Sequence, residues 1–209
     1  MSQTITAGDP PVSVKTWIAV AGAMIGAFMA VLNIQITSAS MRDIEGGIGT
    51  GGINGAWITT AYLVGEIIVI PLSDYLSRVF SLRRYLITNT ALFLVFSALC
   101  GQATSLPEMI VLRALQGFAG GVLIPLAFTI VVRMLPPSRR AIGMAAFALT
   151  ATFAPAIGPT IGGYLTDTYG WPTIFYINLV PGAAMLAMLV YALPRSPMQL
   201  GLLRNGIRR

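Results

Sequence analysis

Charged residues divide the chain into six long segments that are almost entirely uncharged. The segments are 16–41, 46–73, 85–107, 114–132, 141–166 and 168–194, and Glu66 is the only charged residue in any of them. A helix needs about 20 apolar residues to cross the ~30 Å hydrocarbon core of a bilayer. The pattern therefore predicts six membrane-spanning helices, which are Trp17–Ala39, Ile53–Leu76, Tyr85–Ala103, Met109–Val132, Ala141–Leu165 and Ile174–Ala192.

The six predicted spans form two sets of similar length. Residues 17–103 and 108–192 each hold three helices, and because three is an odd number, the second set must be inverted relative to the first. Equal inverted halves are typical of secondary transporters, although any evenly spaced six-helix protein would show the same lengths. We predict an all-α polytopic membrane protein, built as a 3+3 inverted repeat over residues 17–192.

Basic residues are concentrated on one side of these spans. Of the 13 basic residues, 11 lie before the first span, after the second and fourth spans, or after the sixth: Lys15, Arg78, Arg83, Arg84, Arg133, Arg139, Arg140, Arg195, Arg204, Arg208 and Arg209. Cytoplasmic loops carry such an excess. We therefore expect a multi-pass protein of the inner (plasma) membrane with both termini in the cytoplasm. Residues 1–16 would form a flexible tail, and residues 193–209 a basic one.

Composition narrows the possible functions. Charged residues make up 10% of the 209 residues, against about 25% in soluble proteins, so the net charge of +6 indicates basic membrane loops rather than nucleic-acid binding. The chain has no histidine and a single cysteine, Cys100, which excludes histidine catalysis and a cysteine metal cluster. Its only lysine, Lys15, lies outside any P-loop motif. We expect no enzyme activity, no cofactor and no metal.

Three polar residues inside the spans are candidates for function, because such groups are costly at membrane depth. Glu66 lies near the middle of the second span, where it could exchange protons, remain a neutral acid bonded to a neighbouring helix, or face a wet cleft without a role. Arg113 lies four residues into the fourth span. Its side chain could provide a fixed positive charge inside the bundle, or it could snorkel to the membrane interface. Asn33 lies at a similar depth in the first span. It could take part in proton coupling with Arg113 and Glu66, or it could form a structural hydrogen bond between helices.

An acidic residue lies among basic ones at the cytoplasmic end of the second span. Asp74 precedes Arg78, Arg83 and Arg84. An ion pair at this junction could act as a latch that depends on conformational state. The alternative is a solvated surface charge.

Small residues and prolines recur in the fifth span. Gly158 and Gly162 are four residues apart, so they share one helix face and allow another helix to approach closely. Pro155 and Pro159 remove backbone donors and bend the helix. This pattern suits a pivot between moving bundles, and it also suits static packing.

Four stretches resemble one transporter family. Residues 112–117, L-R-A-L-Q-G, resemble the R-x-x-Q-G motif of major facilitator superfamily transporters. Residues 154–163 resemble the antiporter motif, with its Gly-Pro-x-x-Gly-Gly core at Gly158, Pro159, Gly162 and Gly163. Residues 57–63 and 171–178 resemble the starts of the second and sixth helices. Over most of residues 17–200 the chain is similar to the fourteen-helix drug:H+ antiporter-2 family.

The resemblance implies proton-coupled export of small, often amphipathic toxic compounds. In that family the arginine that matches Arg113 is linked to proton transfer, and the fifth-helix motif is linked to antiport. Gln116 and Gly117 complete the first motif and are expected to serve the conformational change. Related pumps of Gram-negative bacteria often work with a periplasmic adaptor, which is therefore an expected partner beside the substrate, protons and membrane lipid.

Departures from the family change the expected coupling residues. The first-helix motif L-D-x-T-I-V-N carries an Asp where this chain has Asn33, so Glu66 becomes the best remaining proton carrier. The loop motif G-x-L-x-D-R-x-G-R-R keeps its basic end, but Asp74, Arg78 and Ser81 replace its Gly, Asp and Gly.

Members of the family also contain a second half-bundle. This sequence therefore resembles the N-terminal half, with residues 193–209 as a truncated linker, and would supply one wall of a substrate cavity. Transport would then require the missing half or a homodimer. The alternative is a non-transporting membrane fragment that assembles with other membrane proteins or is degraded.

Overall fold

The computed structural model describes residues 11–199 and residue 201, and every regular element within that part of the chain is helical. The α-helices are α1 (Val14–Ala39), α2 (Met41–Gly47), α3 (Ala56–Val79), α4 (Leu82–Cys100), α5 (Leu106–Gly120), α6 (Leu123–Met134), α7 (Pro137–Tyr169), α8 (Thr173–Tyr176) and α9 (Leu179–Ala192), and a 3-10 turn covers Gly52–Gly55. The remaining residues of the two predicted tails, 1–10, 200 and 202–209, lie outside the described residues.

Five of the six predicted spans correspond to segments that are long and apolar enough to cross a membrane. Within the described residues these segments are Val14–Ala39, Ala56–Val79, Leu106–Met134, Pro137–Tyr169 and Thr173–Ala192. The predicted third span corresponds to α4, whose 19 residues extend over roughly 28 Å. Arg83 and Arg84 in its first turn make α4 less apolar than the others. Because α4 packs against α5 and α9, it belongs to the same bundle, and the predicted all-α membrane fold is confirmed.

Two of the predicted spans are each divided into two helices, and each division lies shortly before a proline. Pro125 has no N–H to donate to the carbonyl of Gly121, and Pro181 has none to donate to the carbonyl of Ile177, so each lacks one of the bonds that would continue the helix across the division. The predicted fourth span consists of α5 and α6, and the predicted sixth consists of α8 and α9.

Local capping decides where the bundle begins. The Oγ of Ser13 accepts a hydrogen bond of 3.2 Å from the backbone N–H of Thr16, which satisfies a free donor in the first turn. α1 therefore begins at Val14, three residues before the predicted boundary.

The core consists of two hydrophobic clusters with a polar layer between them. The larger cluster includes Tyr62 and Phe93, and the smaller one includes Met109 and Phe175. Arg113 lies between them, since its guanidinium carbon is 4.2 Å from the ring centroid of Tyr62 and 5.7 Å from that of Phe175.

α1 is central in the bundle, and α7 lies at its edge. Of the most apolar 18-residue window of each helix, 61% is buried in α1 and 17% in α7. The exposed side chains of α7 are large and apolar, and Leu149 and Phe153 are each 56% exposed. This face therefore suits contact with lipid or with another apolar protein surface rather than with water.

Candidate functional site

Arg113 on α5 is completely enclosed and joins three helices. Its Nη1 donates hydrogen bonds of 2.5 Å to Oδ1 of Asn33 on α1 and of 2.7 Å to Oε1 of Gln116, one turn further along α5. Its Nε donates to the carbonyl of Ile58 on α3 at 3.4 Å. Because none of the side chain is exposed, Arg113 does not snorkel to the interface, and Asn33 forms an interhelical bond with it.

Aromatic rings take the place of water around the guanidinium. The ring of Tyr62 lies 4.2 Å away and that of Phe175 lies 5.7 Å away. A cation over the face of an aromatic ring is attracted by the ring quadrupole, and this attraction is stronger when the pair is desolvated. The two rings therefore help to stabilise a charge that lies deep in the bundle.

A close approach of two backbones places Tyr62 beneath Arg113. A Cβ on Gly117 of α5 would lie 2.0 Å from the carbonyl oxygen of Tyr62, and one on Gly65 of α3 would lie 2.2 Å from the carbonyl oxygen of Ala114. Only glycine fits such a contact. The glycine that ends the R-x-x-Q-G motif is therefore required for α3 and α5 to meet.

Arg113 has no counter-ion within hydrogen-bond distance. Among the described residues, both ion pairs involve Asp74 at the end of α3, so no carboxylate pairs with Arg113. Among the described residues, three buried nitrogens of this site have no hydrogen-bond partner: Nη2 of Arg113, Nδ2 of Asn33 and Nε2 of Gln116. Removing a charge from water without a partner is costly, so the site holds a buried positive charge to which no carboxylate of the described residues is bonded.

Glu66 lies one helical turn beyond Tyr62 on α3. It is 6% exposed, and its buried Oε1 has no hydrogen-bond partner. A Cβ on Gly121 would lie 2.8 Å from the Cα of Glu66, so this part of α3 contacts the junction between α5 and α6. No hydrogen bond joins the side chains of Glu66 and Arg113 among the described residues, and the two are connected through Tyr62, whose ring lies 4.2 Å from the guanidinium carbon of Arg113.

The small residues of α7 pack against α1. A Cβ on Gly158 would lie 2.5 Å from the Cβ of Gln35, and one on Gly162 would lie 3.0 Å from the carbonyl oxygen of Ile36. Gly163 differs, since nothing lies within 4 Å of its Cβ position. Only one face of the antiporter motif, residues 154–163, is therefore in contact with α1.

Prolines and hydroxyl groups complete this interface. Pro155 and Pro159 lie inside α7 without interrupting the helix. Near its end, the hydroxyl of Thr166 donates to Oγ of Ser40 at 2.7 Å, and Ser40 donates to the carbonyl of Gly162 at 3.3 Å. This short chain of hydrogen bonds ties the end of α1 to α7.

At the end of the bundle where α3 leads into α4, Asp74 accepts hydrogen bonds from two arginines. One is Arg78, on the same helix, and the other is Arg133 on α6, at 2.8 Å. The side chain of Asp74 is 49% exposed. Asp74 is thus both ion-paired and partly solvated. Arg83 instead donates to the carbonyl of Val190 at 2.6 Å.

Comparison with known proteins decides the family. A family model described as Major Facilitator Superfamily matches residues 23–207, which is most of the chain. The chain belongs to this superfamily. The family predicted from the sequence motifs is therefore confirmed.

Two curated members of the superfamily match most of the chain. The colistin resistance protein EmrB of Acinetobacter baumannii is 38% identical over 178 residues, which are 85% of this chain and 35% of the relative. The multidrug export protein EmrB of Escherichia coli K12 is 34% identical over 169 residues, 81% of this chain and 33% of the relative. The chain thus spans about a third of the length of the curated relatives it matches.

A solved structure of the superfamily shows the same fold. The proton:xylose symporter XylE, bound to 6-bromo-6-deoxy-D-glucose, matches with a TM-score of 0.75 at 17% identity, over 90% of this chain and 46% of that chain. The extent of the match fits the N-terminal half-bundle of a major facilitator fold.

The sequence motifs single out Arg113, but they do not predict most of the side chains that surround it. Tyr62 and Phe175 occur within recognised motifs, but nothing in the sequence places their rings against a guanidinium. The sequence shows Cys100 only as a lone thiol, whereas its Sγ lies 3.7 Å from Oε1 of Gln116 and contacts the same superfamily motif. Spacing along one helix reveals only neighbours on that helix, so these contacts carry no sequence signal.

Proposed function

We propose that this chain supplies one six-helix half of a proton-coupled exporter of small amphipathic or toxic compounds. Its membership of the major facilitator superfamily and its likeness to proteins named for multidrug export and colistin resistance support this function. The single observation that carries the proton coupling is the buried Arg113 without a bonded counter-ion, with Glu66 one helical turn beyond Tyr62, whose ring lies 4.2 Å from the guanidinium carbon.

The proposed coupling assigns different tasks to three residues. Asn33 cannot titrate, so it holds the guanidinium of Arg113 in place through the 2.5 Å bond. Glu66 carries the proton. When Glu66 binds a proton, its carboxylate loses its negative charge. Proton binding therefore changes the charge balance in the part of the bundle around Arg113. Glu66 would then release the proton when its carboxyl becomes accessible to water from the opposite side of the membrane.

The substrate cavity in this proposal lies between the half-bundle and a partner. The exposed apolar face of α7, with Leu149 and Phe153, supports such a contact, and so does the match to about half of the XylE chain. The partner is a second half-bundle or a second copy of this chain. A periplasmic adaptor remains a further expected partner. We place the protein in the inner membrane with both termini in the cytoplasm, and without enzyme activity.

The test is proton-driven accumulation of ethidium in everted membrane vesicles that contain the 209-residue chain. We expect accumulation above that of vesicles without the chain, and we expect Arg113→Ala and Glu66→Gln to abolish it. Asp43→Asn is the matched control, because it removes an exposed carboxyl outside the long helices. If Glu66→Gln accumulates ethidium like the unmodified chain, the proposed coupling is wrong.

The alternative is a membrane fragment that inserts and assembles without transporting. It is favoured by one observation: the chain matches only about a third of the length of its curated relatives. Stable insertion with no ethidium accumulation in any vesicle preparation would support this alternative.

A further inference from the structure

A cavity of about 200 Å³, lined by arginine and serine side chains, opens where α3 leads into α4. Its walls are Ser81, Arg83, Arg84, Arg195 and Ser196. Three guanidinium groups and two hydroxyl groups surround it, and no acidic residue lines it. Guanidinium groups bind phosphate oxygens in pairs through charge-assisted hydrogen bonds, so this lining is complementary to a phosphate group.

The fold assembles this cavity from two distant parts of the chain. Ser81 precedes α4, and Arg83 and Arg84 lie in its first turn, whereas Arg195 and Ser196 follow α9. Two hydrogen bonds hold these parts together. The backbone N–H of Gln199 donates to the carbonyl of Val79 at 2.8 Å, and Arg83 donates to the carbonyl of Val190 at 2.6 Å. The first bond ties the segment after α9 to the end of α3, and the second ties α9 to the start of α4.

No acidic side chain of the described residues forms an ion pair with the arginines of the cavity. Asp74 is already paired with Arg78 and Arg133. Within the part of the chain that the structure describes, Arg84 and Arg195 form neither an ion pair nor a side-chain hydrogen bond. In addition, the hydroxyl of Ser81 makes no capping bond to the first turn of α4, so the free N–H groups of that helix end add to the positive potential.

An apolar groove continues from the same cavity. It has a volume of about 440 Å³, and its lining includes Phe80, Tyr85, Phe118 and Met198. Arg84 lines both the groove and the basic cavity. A phosphate-binding pocket that adjoins an apolar groove matches an amphiphile with a charged head and a hydrocarbon tail.

We propose that this composite site binds an anionic phospholipid, with the phosphate between Arg83, Arg84 and Arg195 and one acyl chain in the groove lined by Phe118 and Met198. Free inorganic phosphate would leave the groove empty, whereas a phospholipid fills both parts. Anionic lipids are attracted to basic segments at the cytoplasmic surface, and each Lys or Arg near that surface contributes to the attraction. The site would also anchor the segment after α9 to the start of α4.

The experiment is native mass spectrometry of the purified 209-residue chain, titrated in detergent with dioleoyl phosphatidylglycerol or dioleoyl phosphatidylcholine. We expect phosphatidylglycerol to bind at least about tenfold more tightly than phosphatidylcholine, and Arg84→Gln/Arg195→Gln to remove that preference. The control, Arg139→Gln/Arg140→Gln, removes the same two charges from residues that do not line the cavity. It should change the affinity for phosphatidylglycerol by less than about twofold.

A second variant keeps the test independent of folding defects. Ser196 is exposed and lies outside the helices, so Ser196→Asp should fold normally while its carboxylate repels the phosphate. We expect it to lower the affinity for phosphatidylglycerol by about tenfold. The proposal is overturned if the unmodified chain binds both lipids equally, or if the control double variant loses as much affinity as Arg84→Gln/Arg195→Gln. It is also overturned if millimolar inorganic phosphate displaces phosphatidylglycerol, because the site would then be a simple anion pocket.

Discussion

Arg113 on α5 donates a hydrogen bond of 2.5 Å from Nη1 to Oδ1 of Asn33 on α1, inside the apolar core. The amide offers an acceptor but no negative charge, and neither of the ion pairs among the described residues reaches the guanidinium. The charge balance of the core therefore depends on which residue occupies position 33.

Replacing Asn33 with Asp should stabilise the protein. A carboxylate at the same place would form a charge-assisted hydrogen bond with Arg113, and such bonds contribute about 1.5–3 kcal/mol. We expect the Tm of the purified chain in detergent to rise by roughly 3 °C or more, measured by thermal unfolding at constant detergent concentration.

A matched control uses another buried asparagine. Asn178 is 2% exposed and donates from Nδ2 to Oγ of Ser97 at 2.9 Å. No ion-pair partner is present there, so Asn178→Asp buries an unpaired carboxylate and should lower the Tm. An equal fall in Tm for Asn33→Asp and Asn178→Asp would contradict our description of the Arg113 site.

Gly117→Ala should be strongly destabilising. The new Cβ would lie 2.0 Å from the carbonyl oxygen of Tyr62, and backbone atoms cannot give way as the end of a side chain can. Separating α3 from α5 should cost about 3 kcal/mol or more and should move the ring of Tyr62 away from Arg113. The measurement is again thermal unfolding in detergent.

Gly163→Ala is the comparison for this variant. No atom lies within 4 Å of its Cβ position on α7, and alanine favours a helix interior over glycine by about 1 kcal/mol. We expect an unchanged or higher Tm. If Gly117→Ala and Gly163→Ala behaved alike, close packing of α3 and α5 would not explain the glycine in the motif.

Ser81→Gly should raise stability while weakening the proposed lipid site. Ser81 has a φ of 73° just before α4, a conformation that L side chains rarely adopt and that costs about 1 kcal/mol or more. Glycine occupies the matching position in the family motif and adopts such angles without strain. We expect a Tm increase of roughly 2 °C or more. Ser81→Val, which adds bulk at the same angle, should lower it.

Asp74→Asn distinguishes a conformational latch from a surface ion pair. The bridge to Arg133 is about half exposed on both sides, and exposed ion pairs contribute about 0–1 kcal/mol and are screened by salt. We therefore expect less than about 1 kcal/mol of destabilisation at low salt and almost none at 1 M salt. If this variant still abolishes ethidium transport, Asp74 acts as a latch. Unchanged transport would leave it as a surface charge.

The positions of the helices could be predicted from charge and hydrophobicity along the chain. The boundaries were less certain, since capping by Ser13 moves the start of α1 and since two spans are divided shortly before a proline. Pro125 is visible in the sequence, but hydrophobicity alone predicts a continuous span through it. α4 shows another limit, because its arginines bring it close to the composition of a helix that does not cross a membrane.

The candidate site was only partly predictable. Arg113, Glu66 and Asn33 stand out because polar groups are rare in membrane spans, and the sequence left open whether Arg113 snorkels. Its burial, and the rings of Tyr62 and Phe175 around it, depend on contacts between helices that are far apart in the chain.

Hydrophobicity and short motifs along the sequence are enough to predict an all-α membrane protein of the major facilitator superfamily. These properties follow from hydrophobic segments and short motifs, which are local. Only the packing of the helices shows that Arg113 bonds to Asn33 without a bonded counter-ion among the described residues, and that three arginines from two distant parts of the chain line one cavity. The reason is physical: charge balance and cavity shape arise where separate helices meet, and no single segment contains that information.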